Sequence, residues 1–215
     1  MRHSRVICAF GLTAALVSLA GCGSKTHFPS YYVLNVPAPP STEDPPKPVL
    51  GSVAIREFSA PRFLRQGPIV YRPSPEQLDF YNYDHWAEDP RQVITEALAR
   101  EIRARGLFES VDVYDGRQSP EYLLSGTLDH LEEVDQGSNV SIEVSLSARL
   151  VALHTGEVLW RGTATKTATL DERSMNGIVS EMSRELAGAL GSLVSSMQDR
   201  VSVAALQSSR SNVEQ

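Results

Sequence analysis

Two cysteines, Cys8 and Cys22, and five histidines, His3, His27, His85, His130 and His154, are the residues best suited to nucleophilic, acid–base or metal chemistry in this chain. A thiolate–imidazole pair, a histidine–carboxylate base or a metal centre would need several of them brought together. Both cysteines and His3 lie within the first 22 residues. His27 follows in a polar stretch, His130 sits in an alternating segment and His154 in a turn-forming HTGE. His85 has acids near it in sequence, namely Asp79, Asp84, Glu88 and Asp89. That cluster equally fits a helix start with exposed carboxylates. No G-x-S-x-G elbow, H-E-x-x-H pair, zinc-knuckle cysteines or Walker glycine loop is present. The expectation is therefore a protein that is not an enzyme, with no catalytic residues, no metal site and no cofactor.

Cys22 is the exception, because of what precedes it. Arg2, His3 and Arg5 make a short basic start, and residues 6–19 form an apolar run diluted only by Gly11, Thr13 and Ser18. The run is too short for a comfortable bilayer span and fits a secretory signal. LAGC at positions 19–22 resembles a bacterial lipobox. The resemblance implies cleavage before Cys22, a diacylglyceryl group on its sulfur and acylation of the new amino terminus. Two or more acyl chains anchor a protein stably where one does not. Gly23 and Ser24 follow, with no Asp after the cysteine, which resembles the outer-membrane class of lipoproteins. Cleavage would remove Cys8 and occupy Cys22, so no disulfide is expected.

The remaining chain has ordinary globular composition, 41% apolar and 21% charged. Its net charge of −6 gives no long-range attraction to nucleic acid, and no nucleic-acid partner is expected. Strands are predicted at 31–34 (YYVL), at 49–58, in a short piece ending at Arg72, and in 76–86. A proline-dense linker, 37–48, separates the first two. Asp89-Pro90 starts a helix whose apolar positions run through Ile102 and which Gly106 ends. A strand at Val111 and Val113 follows, then one over 122–130 in which Gly126 marks a bulge or a close backbone approach. Residues 140–152 alternate with an unbroken period of two and pair across HTGE with the strand from Val158 to Ala164. A stripe from Met175 to Met197 marks a long helix covering the sheet. The partition is a signal peptide over 1–21, a lipidated tether over 22–29, one domain over 30–198 and a flexible tail over 199–215. The fold class is α/β, a mixed, mostly antiparallel sheet packed by two main helices.

The order of these features is distinctive. YYVL is followed by VAIREFSAPRFLRQGPIVYR (53–72), YNYDHW (81–86), GLFESV (106–111), YLLSGTLDHLE (122–132) and the long alternating hairpin. Over about residues 30–198 this resembles the ABC-type transport auxiliary lipoproteins, the PqiC-like family. The resemblance implies a fold similar to the amino-terminal domain of TolB. It also implies a lipid-anchored protein on the periplasmic face of the outer membrane, which tethers or caps an MCE-domain protein. That protein forms a conduit for lipid transport and works with an inner-membrane permease and an ATPase. The alternative is a free lipoprotein that itself binds a lipid or another envelope component.

Arginines and aromatics dominate the hot spots of interfaces. Residues 62–86 concentrate both, and Arg56, Arg62, Arg65 and Arg72 give this stretch a basic character. Arg65, Tyr71, Tyr81 and Tyr83 are the candidate partner-binding residues. Trp86 and Trp160 read as core. Alternation puts Tyr81 and Tyr83 on one face, which suits either core packing or surface contact. The lipobox is tested directly: Cys22→Ala is expected to abolish acylation and release the protein from carbonate-washed membranes, measured by fractionation and mass spectrometry.

Overall fold

One strand organises the sheet. A computed structural model describes residues 27–39, 48–137, 139–170 and 173–211. Its elements are β1 (Ser30–Tyr32), β2 (Leu50–Ile55), a 3-10 turn (Arg62–Arg65), β3 (Pro68–Ser74), β4 (Gln77–Trp86), α1 (Pro90–Arg105), β5 (Phe108–Val113), β6 (Tyr122–Gln136), β7 (Asn139–Ala152), β8 (Val158–Thr169) and α2 (Met175–Ser211). β7 pairs antiparallel along the whole of one edge of β6, and β8 extends that meander. The other edge of β6 is shared by two shorter parallel partners, β2 at 122–124 and β3 at 133–134. β5 adds outside β2, and β4 then β1 add outside β3. The long ladders are thus antiparallel and the short ones parallel, in one mixed eight-stranded sheet.

Local chemistry fixes the helix ends. The Asp89 carboxylate accepts from the Arg91 backbone N–H (2.9 Å), with Pro90 in the first turn. Burial would push this carboxyl up, but the side-chain and backbone hydrogen bonds from Arg91 outweigh it and hold it below the usual aspartate range. Gly106 closes α1 in the left-handed region (φ 62°), its N–H reaching the Arg103 carbonyl. Ser174 Oγ accepts from the Gly177 N–H (3.2 Å) to open α2.

The helices cover one face of the sheet. Ile178, Met182, Leu186, Ala189, Leu193 and Met197 of α2 are buried against Ile142, Val144, Leu146 and Leu150 of β7 and their neighbours. Ile94, Leu98 and Ile102 of α1 join the same core, as do Trp86 and Trp160. Asn35 donates its backbone N–H to Ser183 Oγ (3.1 Å), tying the segment after β1 to α2. The burial of Val201 shows that α2 packs beyond the Met197 end of the sequence stripe. Residues 33–39 and 48 have no regular structure, and the middle of the proline-dense linker lies outside the described residues.

Gly126 lets the fully buried Phe58 ring sit on β6: a Cβ there would lie 2.3 Å from Phe58 Cζ. The bulge falls two residues later, between Leu128 and His130. It corrects the sequence reading, which ended the strand at His130 and set that residue in phase with Leu128. The extra residue shifts the alternation, puts Leu131 and Glu133 on the helix-covered face and carries the strand on to Gln136. Leu146→Asp is expected to abolish cooperative unfolding, since it buries an unpaired charge at a fully buried site. Gly126→Ala is expected to cost about 1–3 kcal/mol by overpacking against Phe58, measured by urea unfolding.

Candidate functional site

The candidate residues fall on the β3–β4 hairpin and the turn before it. Tyr71 and Asp79 face one another in the β3–β4 ladder, and Tyr71 is also in register with Glu133 of β6. Tyr71 Oη donates to Asp79 Oδ2 (3.0 Å), and the Tyr71 and Tyr81 rings pack with centroids 4.8 Å apart. Tyr81 Oη donates to Glu133 Oε2 at 2.6 Å. Glu133 is 0% exposed, and its other oxygen lies 2.6 Å from Arg173 Nη2. Arg173 also reaches Asp135 (2.9 Å) and stands next to Ser174, the cap of α2. This network ties β4, β6 and the start of α2 together.

Glu132, 1% exposed, points to the opposite face. Arg72 meets it as a fork, Nε to Oε1 at 2.8 Å and Nη2 to Oε2 at 3.0 Å, and His130 Nδ1 lies 2.9 Å from Oε1. Arg72 is therefore spent on a buried carboxylate and lends no free positive charge to the surface, contrary to the basic character expected of this stretch. Glu132, Glu133 and Arg173 were not among the candidates. The available signal was the adjacent acid pair in LEEVDQ, directly after a predicted strand.

The four candidates separate by environment. Tyr71 and Tyr81 are half-buried and bonded inward. Arg65 is exposed on the 3-10 turn, and Tyr83 is 49% exposed. Tyr83 packs edge-on against His27 (4.4 Å), and nearby Tyr31 of β1 packs against His85 (5.8 Å). Tyr31 is 65% and Phe28 77% exposed, so the β1–β4 edge presents an aromatic surface. Two of the acids flanking His85 in sequence are engaged elsewhere: Asp79 by Tyr71 and the Phe80 N–H, Asp89 by Arg91. Among the described residues no group of three or more His, Cys, Asp or Glu side chains is arranged to hold a metal. Cys22 lies outside the described residues. Among those described, no helix is long and apolar enough to cross a membrane.

Comparison with known proteins assigns this α/β domain to a family and a fold. The family model for the ABC-type transport auxiliary lipoprotein component matches residues 32–193, and the chain belongs to that family. The family is one of auxiliary transport components rather than of enzymes, and membership implies association with a transport system. Among solved structures, protein XCC0632 from Xanthomonas campestris, of the DUF330 family, superposes with a TM-score of 0.69 at 18% identity, covering 83% of this chain and 99% of that one. A second, uncharacterized protein gives 0.60 at 16% identity, covering 78% and 97%. Both share the fold. No curated protein sequence matches the chain.

Burial, then the hydrogen bond to Glu133, pushes the Tyr81 hydroxyl up to about 12, from an ordinary value near 10. A tyrosine raised in the fold stays neutral there while the unfolded chain ionises. Its contribution is complete below pH ~10 and is lost as pH rises towards ~12. Tyr81→Phe is expected to cost about 1–2 kcal/mol at neutral pH and to flatten the loss of stability across that alkaline window. Arg173→Ala leaves the Glu133 charge buried beside a hydroxyl alone and is expected to cost about 2–3 kcal/mol. Urea unfolding across pH reads both.

Proposed function

We propose that the protein is a non-enzymatic lipoprotein, held through Cys22 on the periplasmic face of the outer membrane. There it tethers or caps an MCE-protein conduit in an ABC-type lipid transport system, with the inner-membrane permease and ATPase as indirect partners. Family membership and the LAGC box support this reading. The observation that carries it against the alternative of a lipid-binding lipoprotein is the filled interior. Between the helices and the sheet, where Leu98, Leu124, Trp160 and Leu193 meet, the space left has no room for a water molecule (≈ 0 Å³). A domain that sequestered an acyl chain there would need a sizeable apolar cavity. The apolar groups instead stand outside, at the β1–β4 edge.

The proposed partner surface is that edge with the hairpin behind it. Tyr83 supplies outward aromatic area and Arg65 a charge, while Tyr71 and Tyr81 brace the strand that presents them. Aromatics fixed on a strand lose little freedom on docking. The test is calorimetric titration of the full-length protein in detergent with a purified MCE-domain protein from the same source. Tyr83→Ala with Tyr31→Ala is expected to weaken binding by about 1–4 kcal/mol, the range of central aromatic anchors, at unchanged melting temperature. Arg65→Glu is expected to weaken it more at low salt than at high. Absence of binding, with saturable uptake of a phospholipid instead, would overturn the tethering role in favour of lipid carriage.

A further inference from the structure

We infer that the open face of the sheet holds a binding site for a phosphate-bearing polar group, organised by Arg56, Arg149 and Arg161. Both helices pack on the other face, so the outward side chains of β6, β7 and β8 have no helix above them. A groove of ≈ 650 Å³ runs across these strands, walled on one side by the segment after β2 that carries Arg56 and Ser59. The inference rests on this face alone and is independent of the lipid anchor and of the conduit.

Charge points to the ligand. Arg149 and Arg161 are direct partners in the β7–β8 ladder. Like charges so placed, with Cβ atoms roughly 5 Å apart, are unfavourable. Arg149 donates its Nε–H to Ser125 Oγ (3.2 Å), and Arg56 lies over the Tyr114 ring (5.8 Å). Among the described residues none of the three makes a salt bridge. The one acid on the groove, Glu57, pairs with Arg91 (3.0 Å). Three guanidiniums thus share one groove without a carboxylate of their own, in a chain of net charge −6. A groove lined by one sign of charge concentrates the opposite ion.

The shape and lining narrow the class. Guanidinium forks match the oxygens of a phosphate, which can bridge an opposed pair of arginines with up to two negative charges in a monoester and one in a diester. Beside the arginine row runs a hydroxyl row, Thr127, Ser147 and Thr163, paired strand to strand. These hydroxyls suit the ester or hydroxyl oxygens of a larger polar body. Ala148 is the one lining residue with an apolar side chain and that side chain turns to the core, so an acyl chain gains nothing on the groove. The ligand is a phosphate ester: the headgroup of an anionic phospholipid or a soluble phosphate ester of similar size.

The test uses the full-length protein in neutral detergent, titrated calorimetrically with glycerol 3-phosphate in one arm and dihexanoyl phosphatidylglycerol in the other. Chloride at matched ionic strength is the control. Saturable binding is expected in at least one arm, weakened at least about tenfold by the Arg149→Gln, Arg161→Gln double variant, since each charged hydrogen bond lost is worth that much or more. Binding in the lipid arm alone assigns the headgroup; binding of glycerol 3-phosphate assigns the soluble ester. A second readout needs no titration. Arg161→Thr is expected to raise Tm in phosphate-free buffer, where it relieves repulsion, and to lose the further rise that phosphate gives the wild type. No heat in either arm, affinity unchanged in the double variant, or tighter binding of polyglutamate than of both phosphates would overturn the assignment, the last in favour of an acidic polypeptide.

Discussion

A carboxylate taken out of water must be paired, and β6 buries two in succession. Glu132 and Glu133 point to opposite faces of the sheet, and each draws its own cation. Arg72 comes from β3, and Arg173 from the residue before the cap of α2. An unpaired buried charge costs several kcal/mol, a large part of a domain's net stability. The register of β3 on β6 and the point where α2 begins are therefore coupled through two ion pairs. Tyr81 adds the hydroxyl that completes the Glu133 side and ties β4 into the same joint.

The rest of the architecture follows from the length of β6. With β7 along one edge, its other edge is long enough for two separate partners, β2 and β3, laid end to end. The chain between them stays close to β6, where Ser59 bridges to Thr127 and donates its hydroxyl to the Gly126 carbonyl (3.2 Å). Phe58 turns inward over Gly126 at that point, so the same few residues line the groove outside and fill the core inside. The aromatic edge of β1 and β4 lies beyond β3, at the far end of the β6–β3–β4–β1 branch.

The two faces of the sheet have different roles. The helix-covered face is closed where Leu98, Leu124, Trp160 and Leu193 meet, and the space left there has no room for a water molecule. The proposed contacts fall on the surfaces left open, the aromatic edge and the arginine-lined groove. An auxiliary subunit of a transport system needs surfaces of this kind more than an interior site. A rigid sheet presents them with little ordering cost on docking.

The sequence by itself determined the features that depend on neighbours along the chain. Asp89, Pro90 and Gly106 bound α1, because caps act on free backbone groups within one turn. The period of two over 140–152 identified the buried face of β7, and the stripe from Met175 to Met197 the buried face of α2. The family, too, was legible in the order of segments from 30 to 198. What only the tertiary structure decided is which distant groups meet. The bulge after Leu128 reversed the phase of β6, and no local pattern announces an extra residue that is absorbed by a partner strand. That reversal put Glu133 under Tyr81 and Arg173, 52 residues downstream of one in the chain and 40 upstream of the other. Of the four candidates, Tyr71 and Tyr81 are half-buried with their hydroxyls on Asp79 and Glu133, while Tyr83 and Arg65 are exposed. Likewise it is the β7–β8 register that sets Arg149 and Arg161 face to face, since register is a property of the pair of strands and of neither alone.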